Sequence, residues 1–245
     1  MLLIDIGNSR IKWAYADSGR FVGCGAAVLN EELPASALAA WGRRPPVRVA
    51  VADVRGGDVG QRISDWMRAQ WGIVPEVAHV SRQALGVRTT YREPANLGVD
   101  RWLSLLAVRD RAPVGVIGCG TAITIDVLDS HRIHQGGLIM PGVALQRASL
   151  LERSSGIRRG YQDTAVTEWS GVLGRDTADC VMAGTLQAAA GGIVRSVTRI
   201  GAQFDAMAWI ITGGDGPLIN EMLANQFEYA PDLVLRGLFD VMGDQ

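Results

Sequence analysis

The sequence predicts an α/β protein of two similar lobes that face one another across a cleft. Three observations lead there. Both halves of the chain open with strand, glycine turn, strand, polar turn and strand, and then change to alternating helices and strands. The second opening begins at Val114, so the halves meet near residue 112 in a coarse duplication rather than a short-period repeat. Apolar residues make up 48% of the 245, enough for one sizeable core or two smaller ones. The expected lobes are residues 1–112 and 113–245.

Each element follows from local pattern. Leu2–Ile6 is an apolar run stopped by the turn Gly7-Asn8-Ser9. Residues 10–16 and 21–28 read as two strands joined by the hairpin turn Asp17-Ser18-Gly19-Arg20. A short helix is expected over 35–41, ended by Pro45-Pro46, then a strand at Val47–Val51, a helix over 58–71 and a strand over 73–80. Leu97, Trp102, Leu105, Leu106 and Val108 have helical spacing, so 96–111 reads as a helix capped by Asn96 and stopped by Pro113.

The second half repeats the opening. Val114–Ile117 is an apolar run, Gly118-Cys119-Gly120-Thr121 a turn and Ala122–Leu128 a strand. After the polar turn 129–132 comes a strand over Ile133–Met140, broken at Gly136-Gly137. Pro141-Gly142 opens a helix to about residue 152, and the polar Ser/Gly/Arg-rich segment 152–173 is expected to be a mobile loop. Gly174–Phe204 reads as one long helix interrupted near Gly191-Gly192. A strand at Met207–Ile211, a helix near 217–225, a strand near 232–235 and a helix near 236–242 complete the pattern.

Composition narrows the function. With 24 basic and 25 acidic residues the net charge is −1, which excludes a generally basic nucleic-acid binder and a polyacidic tail protein. Three cysteines without a CxxC pair point to a reducing compartment. Met1 runs into Leu2-Leu3-Ile4-Asp5 with no basic leader, and the most apolar stretch, 178–194, contains Asp179 and Gln187 and is closed by Arg195. A cytoplasmic protein with no membrane or nucleic-acid partner is expected. Lys12 is the only lysine among the 24 basic residues.

Three glycine turns follow strands directly: Gly7-Asn8-Ser9, Gly118-Cys119-Gly120-Thr121 and Thr212-Gly213-Gly214-Asp215-Gly216. Glycine lets backbone N–H groups approach a phosphate, and Ser9, Thr121 and Thr212 add hydroxyls. One such turn is an ordinary hairpin; three at matching positions favour a nucleotide in the cleft. Neither GxxxxGK[ST] nor GxGxxG after a strand is present. Asp5 is an acid inside an apolar strand, a placement that a hydrated Mg²⁺ bridging to phosphates would satisfy. Lys12 and Arg10 share one strand face opposite Ile11 and Trp13, so Lys12 reads either as a solvated strand residue or as a point charge on a transferring phosphoryl group. Asp100, beside Arg101, reads either as a charge placed at a helix N-terminus or as a general base. His131 and His134 lack a nearby acid at metal-site spacing and read as surface histidines, and Cys119 as a buried thiol.

Together these residues resemble the type III pantothenate kinase family. The marks are Asp5-Ile6-Gly7-Asn8-Ser9, Tyr91 followed by Gly98-Val99-Asp100-Arg101, Gly120-Thr121-Ala122-Ile123-Thr124-Ile125-Asp126, Gly136-Gly137-Leu138-Ile139-Met140-Pro141-Gly142 and Thr212-Gly213-Gly214. The resemblance implies a duplicated ribonuclease H-like architecture, the acetate and sugar kinase/Hsp70/actin fold, and ATP-dependent phosphorylation of pantothenate as the first step of coenzyme A synthesis. It implies that Asp5, Ile6, Gly7, Asn8, Ser9, Arg10, Ile11 and Lys12 hold ATP phosphates, with Asp5 serving Mg²⁺, and that Thr121 contacts ATP. By the same resemblance Tyr91, Gly98, Val99, Asp100, Arg101 and Thr177 bind pantothenate, Asp100 accepts its hydroxyl proton, and the protein is a homodimer. The family commonly has an acid for a monovalent cation, K⁺ or NH₄⁺, where Gly118 stands; either backbone carbonyls and water hold the ion here or the requirement is weakened or lost. Some relatives carry the label of Bvg accessory factor, so a non-catalytic nucleotide-binding regulator is the alternative.

Overall fold

The computed structural model describes residues 1–17, 19–29, 33–42, 45–161, 172–204 and 207–243. The chain runs through β1 (Leu2–Ile6), β2 (Arg10–Asp17), β3 (Arg20–Val28), α1 (Ala35–Gly42), β4 (Val49–Asp53) and α2 (Asp58–Trp71). Next come β5 (Glu76–Val77), β6 (Gln83–Ala84), β7 (Val87–Thr89) and α3 (Val99–Ala107). They are followed by β8 (Val114–Cys119), β9 (Ala122–Leu128), β10 (Ile133–Pro141), α4 (Val143–Arg153), α5 (Ser155–Gly160) and α6 (Thr177–Gly201). The last elements are β11 (Ala208–Thr212), α7 (Gly216–Met222), β12 (Glu228–Tyr229) and α8 (Leu233–Gly243). The chain divides into two units, one of Met1–Ala112, Leu128–Gly136 and Asp232–Gln245, the other of Pro113–Val127 and Gly137–Pro231.

In the first unit the sheet order is β3-β2-β1-β4-β5, with β1 antiparallel to β2 and parallel to β4. β1 is central because it is apolar on both faces. Leu2, Ile4 and Ile6 join Ile11, Trp13, Trp41, Ile63 and Met67 in one cluster. Leu3 alternates to the opposite face and is equally buried, and α8 packs against β1 and β4. Each such aliphatic side chain contributes about 1.5–3 kcal/mol by leaving water. α8 also lies along α3, where Arg109 just beyond α3 donates to Asp240 at 2.5 Å. The crossing is close: a Cβ on Gly237 would stand 2.0 Å from the Leu103 carbonyl oxygen. β6 and β7 form a small hairpin, and β7 runs parallel to the start of β10 with His134 opposite Thr89.

In the second unit the strand order is β12-β11-β8-β9-β10, with β8 and β11 parallel and Ile117 opposite Ile211. Ile117, Ile123, Ile125, Leu186, Ile193, Ile211 and Ile219 form its core. α6 is capped by Asp176, whose carboxylate accepts the Asp179 N–H at 2.8 Å. By length and composition α6 alone among the described helices is suited to cross a membrane, but half of its apolar window is buried inside the structure.

Several elements differ from the sequence expectation. The helix expected over 96–111 starts later, at Val99: Pro94–Asn96 closes a separate 3₁₀ turn, Leu97 is extended, and Gly98 rather than Asn96 is the N-cap. The strand expected over 73–80 shrinks to β5, two residues long. The strand expected near 232–235 is the start of α8, because the run Leu233-Val234-Leu235 is too short for its periodicity to separate the two conformations. α6 passes through Gly191-Gly192 unbroken, with Met140 Sδ packed 3.1 Å from the place of a Gly192 Cβ. Within the segment expected as a mobile loop, Ser155–Gly160 is helical, and residues 162–171 lie outside the described residues.

Candidate functional site

The N-terminal hairpin sets the first group of residues. Asp5 and Lys12 face each other in the antiparallel register of β1 and β2, so both side chains leave the sheet on one side. The turn between the strands is closed by Gly7 N–H donating to Arg10 O at 3.0 Å, and it leaves the Asn8, Ser9 and Arg10 side chains exposed. Ile6 and Ile11 are fully buried core residues, so only their backbone atoms are placed to meet a ligand.

Lys12 Nζ stands 3.6 Å from Asp232 Oδ1. Asp232, immediately before α8, has a left-handed backbone (φ +59°), which aspartate tolerates better than most residues. Asp100, near the start of α3, is the next member. Its Oδ1 accepts the Arg101 N–H at 2.8 Å, and its own carbonyl accepts the Ser104 hydroxyl at 2.8 Å. Gly98 makes room for this: a Cβ there would stand 2.6 Å from Asp100 Oδ1. Val99 is buried and anchors the first turn.

These charges act on Asp5. Desolvation in the sheet pushes its carboxyl up to about 7, Asp100 and Asp232 push in the same direction, and Lys12 pulls against them. The protonated form is therefore favoured by the fold. Its stabilising contribution is complete below the ordinary value of 3.8 and is lost as the pH rises through about 7. Asp5→Asn is accordingly expected to lie close to the wild type in stability near pH 4 and to exceed it by about 4 kcal/mol at pH 8, read from denaturant unfolding across that range. A wild-type advantage at pH 8 would refute this account of the site.

Arg101 is buried, and its guanidinium donates to the Tyr91 hydroxyl at 3.0 Å. Tyr91 in turn stacks on His134, ring centroids 5.6 Å apart and planes 16° from parallel. His134 is not the surface residue that its polar hairpin suggested: it is fully buried, whereas His131 is exposed. The polarity of a hairpin does not reveal that one of its residues pairs with β7. Asp232 was also missed, although an acid between a proline and an apolar run is a helix-start signal.

The second unit places the other candidates. Thr121 is exposed on a turn whose backbone is tied to its neighbours: Gly142 N–H donates to Thr121 O at 3.0 Å, and Asp215 N–H donates to Cys119 O at 3.1 Å. The second and third glycine turns thus converge. Cys119 is buried, and burial pushes its thiol up to about 12. At Gly118 a Cβ would meet Thr124 Oγ1 at 2.7 Å. Thr177, the first residue of α6, lines a groove of about 1120 Å³ together with Leu145, Leu150, Ile157 and Val181. Asp5, Lys12 and Asp100 are therefore together in the first unit, as are Tyr91 and Arg101, while Thr121 and Thr177 belong to the second. Among the described residues no three side chains form a ready-made metal site.

Two mixed α/β units of this kind define the acetate and sugar kinase/Hsp70/actin class. An activator of 2-hydroxyisocaproyl-CoA dehydratase from Clostridium difficile, solved with bound ADPNP, has this fold at a TM-score of 0.55 and 13% identity, covering 99% of this chain and 94% of that one. The type III pantothenate kinase family model matches residues 1–199. The type III pantothenate kinase of Nitrosococcus oceani is 39% identical, covering 100% of this chain and 94% of that protein. That of Azoarcus sp. is 35% identical, covering 97% and 89%. The chain belongs to the type III pantothenate kinase family. It is a kinase that phosphorylates pantothenate with ATP at the opening of coenzyme A synthesis, and the alternative of a non-catalytic regulator is not favoured.

Proposed function

We propose that Asp100 is the base of this phosphoryl transfer and that Lys12 and the turn after β1 hold the nucleotide's phosphates. Asp100 takes the proton of the primary hydroxyl of pantothenate. The oxygen then forms its bond to the γ-phosphorus as the bond to the β-phosphate oxygen breaks, and ADP leaves with the electron pair. Lys12 and the N–H groups of Asn8 and Ser9 offset the charge that spreads over the phosphoryl oxygens. Arg101, fixed by Tyr91, grips the carboxylate of pantothenate, and the backbone of Gly98 and Val99 borders the same pocket. Thr121 contacts the nucleotide and Thr177 the acceptor. The observation that carries this reading is the grouping of Asp5, Lys12 and Asp100 in one charge cluster.

Asp5 suits Mg²⁺. Burial holds its carboxyl up, two further carboxylates add to this against a single lysine, and a divalent cation offsets the excess of negative charge. Few protein ligands are needed, because this ion completes its shell with phosphate oxygens and water. When bound, it neutralises phosphate charge. A monovalent cation, by contrast, finds no side-chain ligand at Gly118, where the Thr124 hydroxyl fills the space. We read that requirement as weakened. The chain works in the cytoplasm as a homodimer.

The test is mass spectrometry of pantothenate after incubation with the protein, ATP and Mg²⁺, with K⁺, NH₄⁺ or Na⁺ as the only monovalent cation. A gain of one phosphoryl group in all three salts is expected. Product only with K⁺ or NH₄⁺ would restore the cation requirement, and ADP formed without phosphorylated acceptor would overturn the acceptor assignment.

A further inference from the structure

His134 has no part in the chemistry described above, yet it is a completely buried imidazole beside the acceptor pocket. Its backbone is secured independently of its ring: the His134 carbonyl accepts from Thr90 N–H at 3.1 Å and from the Thr90 hydroxyl at 2.8 Å. The ring is held as well. Nδ1 lies 3.1 Å from the Thr89 hydroxyl, which also accepts the Tyr91 N–H at 3.1 Å. The face of the ring lies on Tyr91 with centroids 5.6 Å apart. Thr89 and His134 thus hold the backbone and the ring of the same tyrosine. Tyr91 passes this on: its hydroxyl receives Arg101 at 3.0 Å, and the guanidinium carbon stands 5.7 Å from the centroid of its ring.

We propose that His134 is a positioning residue of the acceptor pocket, whose stacked ring fixes the Tyr91 phenol where it orients the Arg101 guanidinium. The proposal rests on the reading that Arg101 binds the acceptor. A guanidinium binds a carboxylate through a planar fork, so a swing of its supporting phenol misaligns both bonds at once. Tyr91 and Arg101 belong to the acceptor side of the site, so the effect is expected to fall on pantothenate rather than on ATP.

The experiment is steady-state kinetics of the full chain with each substrate varied. His134→Leu is expected to raise KM for pantothenate about tenfold and to leave KM for ATP within about twofold. His134→Phe, which keeps a stacking ring, should recover most of the loss. In a Tyr91→Ala background His134→Leu should add less than about twofold, the non-additivity of residues acting through one another. His134→Gln, which keeps a partner for Thr89 and loses the ring, replaces the leucine variant if that one does not fold. An equal rise in both KM values, an undiminished effect in the Tyr91→Ala background, or no recovery with phenylalanine would each overturn the proposal. Arg101→Lys separates it from the reading beneath: unchanged acceptor KM there overturns the pocket assignment, whereas an Arg101→Lys effect without a His134 effect overturns the role of His134 alone.

Discussion

Asp100→Asn is expected to cut turnover by about 10²–10⁴-fold while ATP binds nearly as before, the range found for a positioned acid–base group. The substitution is well chosen for this site. Asparagine keeps an oxygen that accepts the Arg101 N–H, now made at 2.8 Å by Asp100 Oδ1, so the first turn of α3 retains its geometry. What disappears is the charge and the ability to take a proton. Turnover and a nucleotide titration on the same preparation check the two halves of the expectation. A second readout needs no substrate: Asp100 is the largest charge influence raising the Asp5 carboxyl, so its neutralisation lets Asp5 ionise at lower pH. The fall in stability toward neutral pH should then be shallower than in the wild type. Retained turnover would remove Asp100 from the mechanism.

Gly237→Ala carries the largest expected effect on the fold. The added methyl group would meet backbone, with Leu103 O at 2.0 Å, Leu103 C at 2.6 Å and Leu103 Cα at 2.9 Å, so no flexible side chain can yield. α8 must lift from α3, and overpacking of this kind costs about 1–3 kcal/mol or more. The damage reaches function as well, because α3 carries Asp100 and Arg101 while Asp232 precedes α8 beside Lys12. A loss of about 3 kcal/mol in unfolding free energy with a fall in turnover is expected. A melting temperature equal to that of the wild type would show that the crossing of the two helices is not tight.

The sequence made the opening strands and turns of both halves legible because glycine, polar turns and apolar runs punctuate them sharply. The same local signals brought Asp5, Lys12, Asp100 and Arg101 to notice. They did not reveal what lies around these residues. Asp232 is 220 positions from its partner Lys12, and no periodicity links a hairpin lysine to a distant helix start. His134 reads as a surface residue because it stands in a polar hairpin without a nearby acid, whereas it is fully buried and pairs with Thr89 of β7, a three-residue strand. The run Leu233-Val234-Leu235 reads as a strand in sequence, and its packing against α3, β1 and β4 fixes the helical conformation.

The membership of α8 in the first unit has a consequence for biosynthesis. The ribosome delivers β1 well before α8, with the second unit's residues between them. During translation the nascent first unit therefore keeps the apolar surface of α3, β1 and β4 uncovered until α8 emerges, while the inserted segment has time to fold. That interval is the window in which a chaperone, or aggregation, would act on this chain.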